Sequence, residues 1–370
     1  YICGVEYMPA FTDTRDHRKA QGAGGVCCAG QNGGNMPAFA AHEIFGEEAL
    51  QETKGKLNEV VAKHPEVFRL GCQGPDLFFF NPFMKLVHRK VDLGSRLHTS
   101  QINRFFEVFL DELLKLSNKQ GLEIGISYFL GFVSHYTLDT ELHPYIYARS
   151  GYRDGVKDSG ARSFPAHQRL EAVIDQKILM VKKGIMPSGY YPEKRIRVSE
   201  AELSVIARLM SRTLQRIYHL MIFDENIKAS YRCMRGVIRH VYDHSGRKRQ
   251  HVRRFEAVVL GRPVIANMMV ADRMPDRRDA MNTLGRRWTS PWNPKEHFDK
   301  SVWEMYDIAM ERYQDYYTRL EPLLAGLLRR IRFVEQKKSR AGSIEQFIRE
   351  QIAKVAAGLE NRDYHSGKNK

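Results

Sequence analysis

The segment Gly125–Tyr147 is apolar almost all round at helical pitch, yet it carries His135, Asp139 and His143 at intervals of four. A helix this apolar on every side belongs inside a protein. Each step of four along an α-helix turns the side chain by only about 40°, so these polar groups face one place within the core. Imidazoles and carboxylates facing a dry core need partners, and a bound cation supplies them. They are also ligand types that zinc favours. His167 and Glu171 repeat the i, i+4 spacing downstream. Any one such pair is more often a surface hydrogen bond or a satisfied core group; three ligands on one buried helix constrain the fold more sharply.

Helical periodicity dominates the rest. Ile102–Leu116, Ala166–Val181, Ser199–Ile222, Trp303–Val334 and Ser343–Leu359 all read as helices, the third opening with Ser199 and Glu202 at capping-box spacing. Val258–Val270 is the best strand candidate, and reads equally as loop and helix. The expected architecture is all-α, a single multi-helix domain over residues 36–360, with residues 361–370 a flexible C-terminal tail. Residues 1–35 contain the glycine-rich run QGAGGVCCAGQNGGN, and the chain starts with Tyr rather than Met; this stretch reads as a disordered or non-native extension.

Several classes are set aside. No apolar run approaches the roughly 20 residues of a membrane span. The first residues have neither the basic start nor the continuous apolar stretch of a secretory signal, so a cytoplasmic location is expected. Five scattered cysteines with no CxxC pair argue against a disulfide framework and zinc fingers. His42–Glu43 would begin a HExxH motif, but position 46 is Gly46. No His-Asp dipeptide occurs, and the Glu-x-x-His pairs of di-iron bundles are missing.

Five segments in order, AHEIFGEEAL (Ala41–Leu50), GCQGPDLFFF (Gly71–Phe80), RLHTSQINRFF (Arg96–Phe106), GFVSHYTLDTELHPYI and AHQRLEAVID, resemble the zinc-dependent phospholipase C family, which shares its helical fold with the single-strand-specific fungal nucleases. A weaker echo follows at Pro291–Ala309. The resemblance implies up to three zinc ions. Asp76, His98 and His135 would hold the first, with Asp139 bridging; His143, His167 and Glu171 the second; and His42 and Asp139 the third. The interval from Asp139 to His143 is tighter than in the secreted enzymes, which leaves Glu141 as an alternative to His143. In those enzymes the third zinc is completed by the mature N-terminal residue. Met36 precedes Pro37, and removal of an initiator Met there would place the Pro37 amine five residues before His42. Pro37 is thus the expected last ligand, with residues 1–35 outside the functional protein.

The implied activity is hydrolysis of phosphate esters, with a zinc-activated water attacking phosphorus in line. Asp76 acts there as proton acceptor or as ligand alone. Substrates implied are a phosphate ester, a lipid headgroup or a nucleotide, with a phospholipase C reaction ahead of a nuclease or nucleotidase, and a non-catalytic zinc-stabilised anion-binding protein as the rival class. Cys72 and Gln73 read as packing and loop residues, and Phe78–Phe80 with Phe83 as core or groove. The net charge is +15, and nine basic residues between Lys228 and Arg254 face only Asp243 and Glu256 within 228–256. That stretch is a solvated surface or a contact for an anionic membrane or nucleic acid. Its histidines, His240, His244 and His251, lack metal-site spacing. Trp288 and Trp292 are placed as a lid, an interfacial anchor or ordinary packing.

Overall fold

Helix α6 (Lys119–Ser150) is the element that the others enclose, and nearly all of its side chains are buried. In the computed structural model, which describes residues 39–81, 92–261, 263, 265–276, 278–334 and 341–370, it runs beyond Gly125–Tyr147 at both ends. Asn118 caps its start by accepting from Gly121 N at 2.6 Å, and Gly151 ends it at φ +84°.

The chain enters through α1 (Phe39–Thr53), α2 (Leu57–Lys63) and α3 (Pro65–Gly71), then a 3₁₀ turn, Gly74–Phe80. After it come α4 (Leu93–Thr99), α5 (Ile102–Leu114), α6 and α7 (Ser159–Ile178). A short α8 (Pro192–Arg195) leads to α9 (Glu200–Tyr218), α10 (Asp224–Val241), α11 (Lys248–Val259) and α12 (Ile265–Met268). The long α13 (Val302–Val334) and α14 (Ala341–Gly358) follow. Helices α1, α3, α7, α9 and α13 all pack on α6. The expected capping box is present, with Ser199 Oγ accepting from Glu202 N and the Glu202 carboxylate accepting from Ser199 N. The architecture is all-α as expected, and no described helix is long and apolar enough to cross a membrane.

Backbone contact between α3 and α6 sets the site's geometry. A Cβ on Gly131 would lie 2.2 Å from Phe68 O, and one on Gly71 would lie 2.2 Å from Tyr128 O. Only paired glycines let these main chains approach so closely. The turn after α3 is thereby pressed against the polar turn of α6.

One reading left open is decided, and one expectation is corrected. Val258–Val270 takes the loop-and-helix reading: it spans the end of α11, a glycine corner and α12, and among its described residues Val270 alone pairs, in an isolated bridge with Tyr242. Among the described residues the strands are β1 (Trp288–Ser290) and β2 (Asn293–Phe298), an antiparallel hairpin with Trp288 opposite Phe298. Residues 361–370 are not a flexible tail. Asp363, Tyr364 and His365 are buried, and the segment is tied down by Tyr364 N to His98 O at 3.0 Å and Arg362 N to Tyr136 Oη at 3.0 Å, while Asp363 N to Lys368 O at 2.8 Å closes a turn within it. Its polar composition hid this, because backbone groups, Arg362 and the two adjacent rings of Tyr364 and His365 rather than an extended apolar face make the attachment.

Candidate metal centre

Four helices and one turn build the centre. Helix α6 presents His135, Asp139 and His143 one turn apart; α1 brings His42, α4 brings His98, and α7 brings His167 and Glu171. Asp76 comes from the 3₁₀ turn after α3. Every one of these side chains is buried. Their donor atoms form three sets, each with all atoms within 4.8 Å: His42, His135 and Asp139; Asp76, His98 and His135; and His143, His167 and Glu171.

Asp139 joins the sets. Its Oδ1 lies 3.2 Å from His42 Nε2, and its Oδ2 lies 3.0 Å from His135 Nε2, 3.7 Å from His98 Nε2 and 3.6 Å from His143 Nδ1. Asp76 reaches His98 Nε2 at 3.2 Å and His135 Nε2 at 3.8 Å. Glu171 Oε1 is 2.9 Å from His167 Nε2 and 3.5 Å from His143 Nε2.

Main-chain carbonyls orient three of the imidazoles. His98 Nδ1 donates to Gly94 O at 2.7 Å, His135 Nδ1 to Cys72 O at 3.1 Å, and His143 Nδ1 to Tyr364 O at 3.2 Å. A carbonyl only accepts, so each Nδ1 carries a proton and the Nε2 lone pair is left for the cluster. Gly74 permits the second of these contacts: at φ +51°, a Cβ there would sit 2.3 Å from the His135 ring.

Five atoms in the cluster, His42 Nδ1, His98 Nε2, His135 Nε2, Asp139 Oδ2 and Glu171 Oε2, make no hydrogen bond although buried. Native interiors rarely leave polar atoms so. An imidazole lone pair facing a carboxylate oxygen repels it, and a cation between them removes the repulsion. The field is suited to one. Burial alone would depress His98, but the Asp139 and Asp76 carboxylates overcome it and push its pKa up to about 10. Burial would likewise raise Asp139, yet His143, His135 and His42 hold it well below the ordinary carboxylate range. Nitrogen and oxygen donors without thiolate fit zinc.

The local surroundings explain why each ligand stays put. Ala41 N donates to Asp175 Oδ1 at 2.7 Å, Ala40 N donates to Tyr242 Oη at 3.2 Å, and Tyr242 Oη donates to Asp175 Oδ2. Together these side chains pin the first turn of α1 and so place His42. Glu43, beside it in sequence, is bonded instead to Arg195 and, at 2.7 Å, to Tyr190 Oη. Glu141 is engaged by Arg312 at 3.0 Å and by Arg362, so His143 and not Glu141 joins the cluster. Cys72 contributes its carbonyl, as a loop residue does.

Sequence reasoning missed the strap at 361–370. Tyr364 lies against His98, ring centroids 4.9 Å apart, and His365 stacks on His98 at 5.7 Å and meets Tyr147 at 5.0 Å. Burial pushes the His365 pKa down to about 3. The only signal was an aromatic and an imidazole side by side in an otherwise polar run. On the other flank Phe79 stacks on His98 at 5.4 Å, and Tyr147 bridges His167 at 4.7 Å to Trp292 at 5.4 Å. Trp288 packs on Tyr145 and Phe298 instead. Pro37, Met36 and Phe83 lie outside the described residues. His244 stacks on Tyr191 and bonds Ser188 O, and none of His240, His244 and His251 belongs to a metal-capable set among the described residues.

Comparison with known proteins yields one finding. No curated protein and no solved structure matches the chain. The model of the zinc-dependent phospholipase C family matches residues 41–228, which includes every ligand candidate from His42 to Glu171 and ends before α11, the hairpin and the strap. With the match spanning just over half of its residues, the chain belongs to the zinc-dependent phospholipase C family.

Proposed function

We propose that this chain hydrolyses phosphate esters, and that its substrate is a phospholipid cleaved on the glycerol side of the phosphate. The observation that carries this is Asp139, one buried carboxylate within 3.7 Å of four imidazoles from three helices. Asp76, His98 and His135 would hold one zinc ion, His143, His167 and Glu171 a second, and His42 with Asp139 a third. Zinc bound there supplies Lewis-acid polarisation of a phosphoryl oxygen and a water whose pKa approaches neutrality.

The chain's own residues do the rest. Asp76, with one oxygen toward His98 and the other toward His135, takes the proton of the attacking water. The carbonyls of Gly94, Cys72 and Tyr364 hold the imidazoles in a single orientation, so little reorganisation accompanies the reaction. Tyr364 and His365 on one side and Phe79 on the other shield the centre from bulk water, which strengthens each electrostatic contact inside.

The test is a substrate panel. Zinc-loaded protein is offered phosphatidylcholine, single-stranded DNA and an aryl phosphate ester, and the expected result is release of the phosphorylated headgroup from the lipid. Cleavage of the DNA with the lipid left intact would replace the reading by a nuclease, and no turnover with the metals bound would replace it by a non-catalytic anion-binding protein.

A further inference from the structure

Helix α11 inverts the usual pattern of burial. Its one buried side chain is Glu256, whose carboxylate accepts from Ile265 N at 2.7 Å and Ala266 N at 3.0 Å. The apolar residues of its last turns are out in water instead: Phe255 is 66% exposed, Val258 86% and Val259 59%, continued by Leu260 at 56%. Gly261 then turns the chain back at φ +67°, so these side chains stand on a projecting corner. An exposed apolar cluster of this kind marks an interaction surface.

Positive charge surrounds it. Arg253 and Arg254 are exposed on the same helix, and Lys248 and Arg249 lie in its first turn. Arg249 is held below its ordinary value by burial and then by its positive neighbours Arg169 and Arg253. Arg169 sits on α7 between His167 and Glu171. The basic surface therefore continues from the corner to the turn that carries the second ligand set.

We propose that α11 and its corner dock the protein on an anionic lipid surface, with Phe255, Val258, Val259 and Leu260 entering the acyl boundary and Arg253 and Arg254 meeting headgroup phosphates. A helix with an apolar edge beside arginines and lysines has the build of an interfacial anchor. Nucleic acid would use the charge but has no place for two valines and a leucine, since it is held by phosphate contacts and stacking. The docking goes beyond the hydrolytic reading, because binding requires no turnover.

The experiment is sedimentation of the full chain with vesicles of phosphatidylcholine alone and of phosphatidylcholine mixed with phosphatidylserine, alongside turnover of a soluble aryl phosphate ester. Partitioning is expected to rise with phosphatidylserine. It is expected to fall roughly tenfold or more in Phe255→Ser/Val258→Ser and again in Arg253→Glu/Arg254→Glu, with the soluble reaction unchanged in both. Partitioning indifferent to either pair overturns the proposal. So does a dimer in solution that Phe255→Ser dissociates while vesicles remain unbound, which would give the face to a second copy of this chain. Binding to an oligonucleotide but not to vesicles, lost only on arginine reversal, overturns it as well.

Discussion

The main-chain carbonyl of Tyr364 accepts a hydrogen bond from His143 Nδ1 at 3.2 Å, across 221 residues of sequence. That bond fixes which nitrogen of His143 faces Glu171. Deleting residues 361–370 is therefore expected to weaken metal binding at the His143, His167 and Glu171 set by about 10–100-fold, the usual effect of losing a partner behind a ligand. Metal per chain under graded chelator concentrations reads this; an unchanged titration would remove the strap from the centre.

Asp139 lies within 3.7 Å of an imidazole from each set, so its loss is felt in all three. Asp139→Asn keeps the shape and removes the negative charge that His42, His98, His135 and His143 share. Metal affinity is expected to fall by more than the roughly 10–100-fold of an outer partner, and phosphoester turnover to vanish with it. Elemental analysis with a kinetic assay separates this from unfolding, which circular dichroism would report.

Removing metal from the wild-type protein should lower Tm in a concentration-dependent way. The five unbonded buried atoms of the centre are compensated only in the folded, loaded state, so chelation withdraws binding energy from folding. Zinc is expected to restore Tm where magnesium, which prefers oxygen donors, does not. Calorimetry before and after chelation checks it.

Gly74→Ala tests the contact behind His135. The backbone sits at φ +51° and the new methyl would lie 2.3 Å from the imidazole carbon. A loss of about 1–3 kcal/mol in unfolding free energy is expected, with reduced metal content because His135 shifts. Denaturant titration together with metal analysis reads both.

Asp175 gives the fold a pH dependence of its own. Burial raises its carboxyl to about 6, above the roughly 3.9 of an unfolded chain. Its contribution is therefore fully present below about pH 4, and it is lost as pH rises through about 6, by about 3 kcal/mol at most. Asp175→Asn should flatten that decline in urea unfolding between those pH values.

How much of this could be read in advance differs by element. His135, Asp139 and His143 declare themselves because they share one helix, and helical period converts sequence spacing into a common face. Asp76 and His98 sit on separate short elements, where local spacing carries no such information; only the resemblance placed them with the rest. Asp175 and Tyr242 support His42 through contacts 134 and 202 residues long in sequence, and no periodicity signals such a contact. The end of α11 stayed open between strand and helix for a different reason. Val258 and Val259 have strand propensity, but the Glu256 carboxylate ties the following backbone into a corner instead.

The strap also bears on how metal enters and leaves. It has no helix of its own between 361 and 370 and is held on α6 and α4 by a few hydrogen bonds and the buried rings of Tyr364 and His365, so it is expected to open before the helices beneath it do. Zinc at the His143, His167 and Glu171 set is therefore expected to exchange through opening of these ten residues without global unfolding, so that the residence time of the metal would read strap stability.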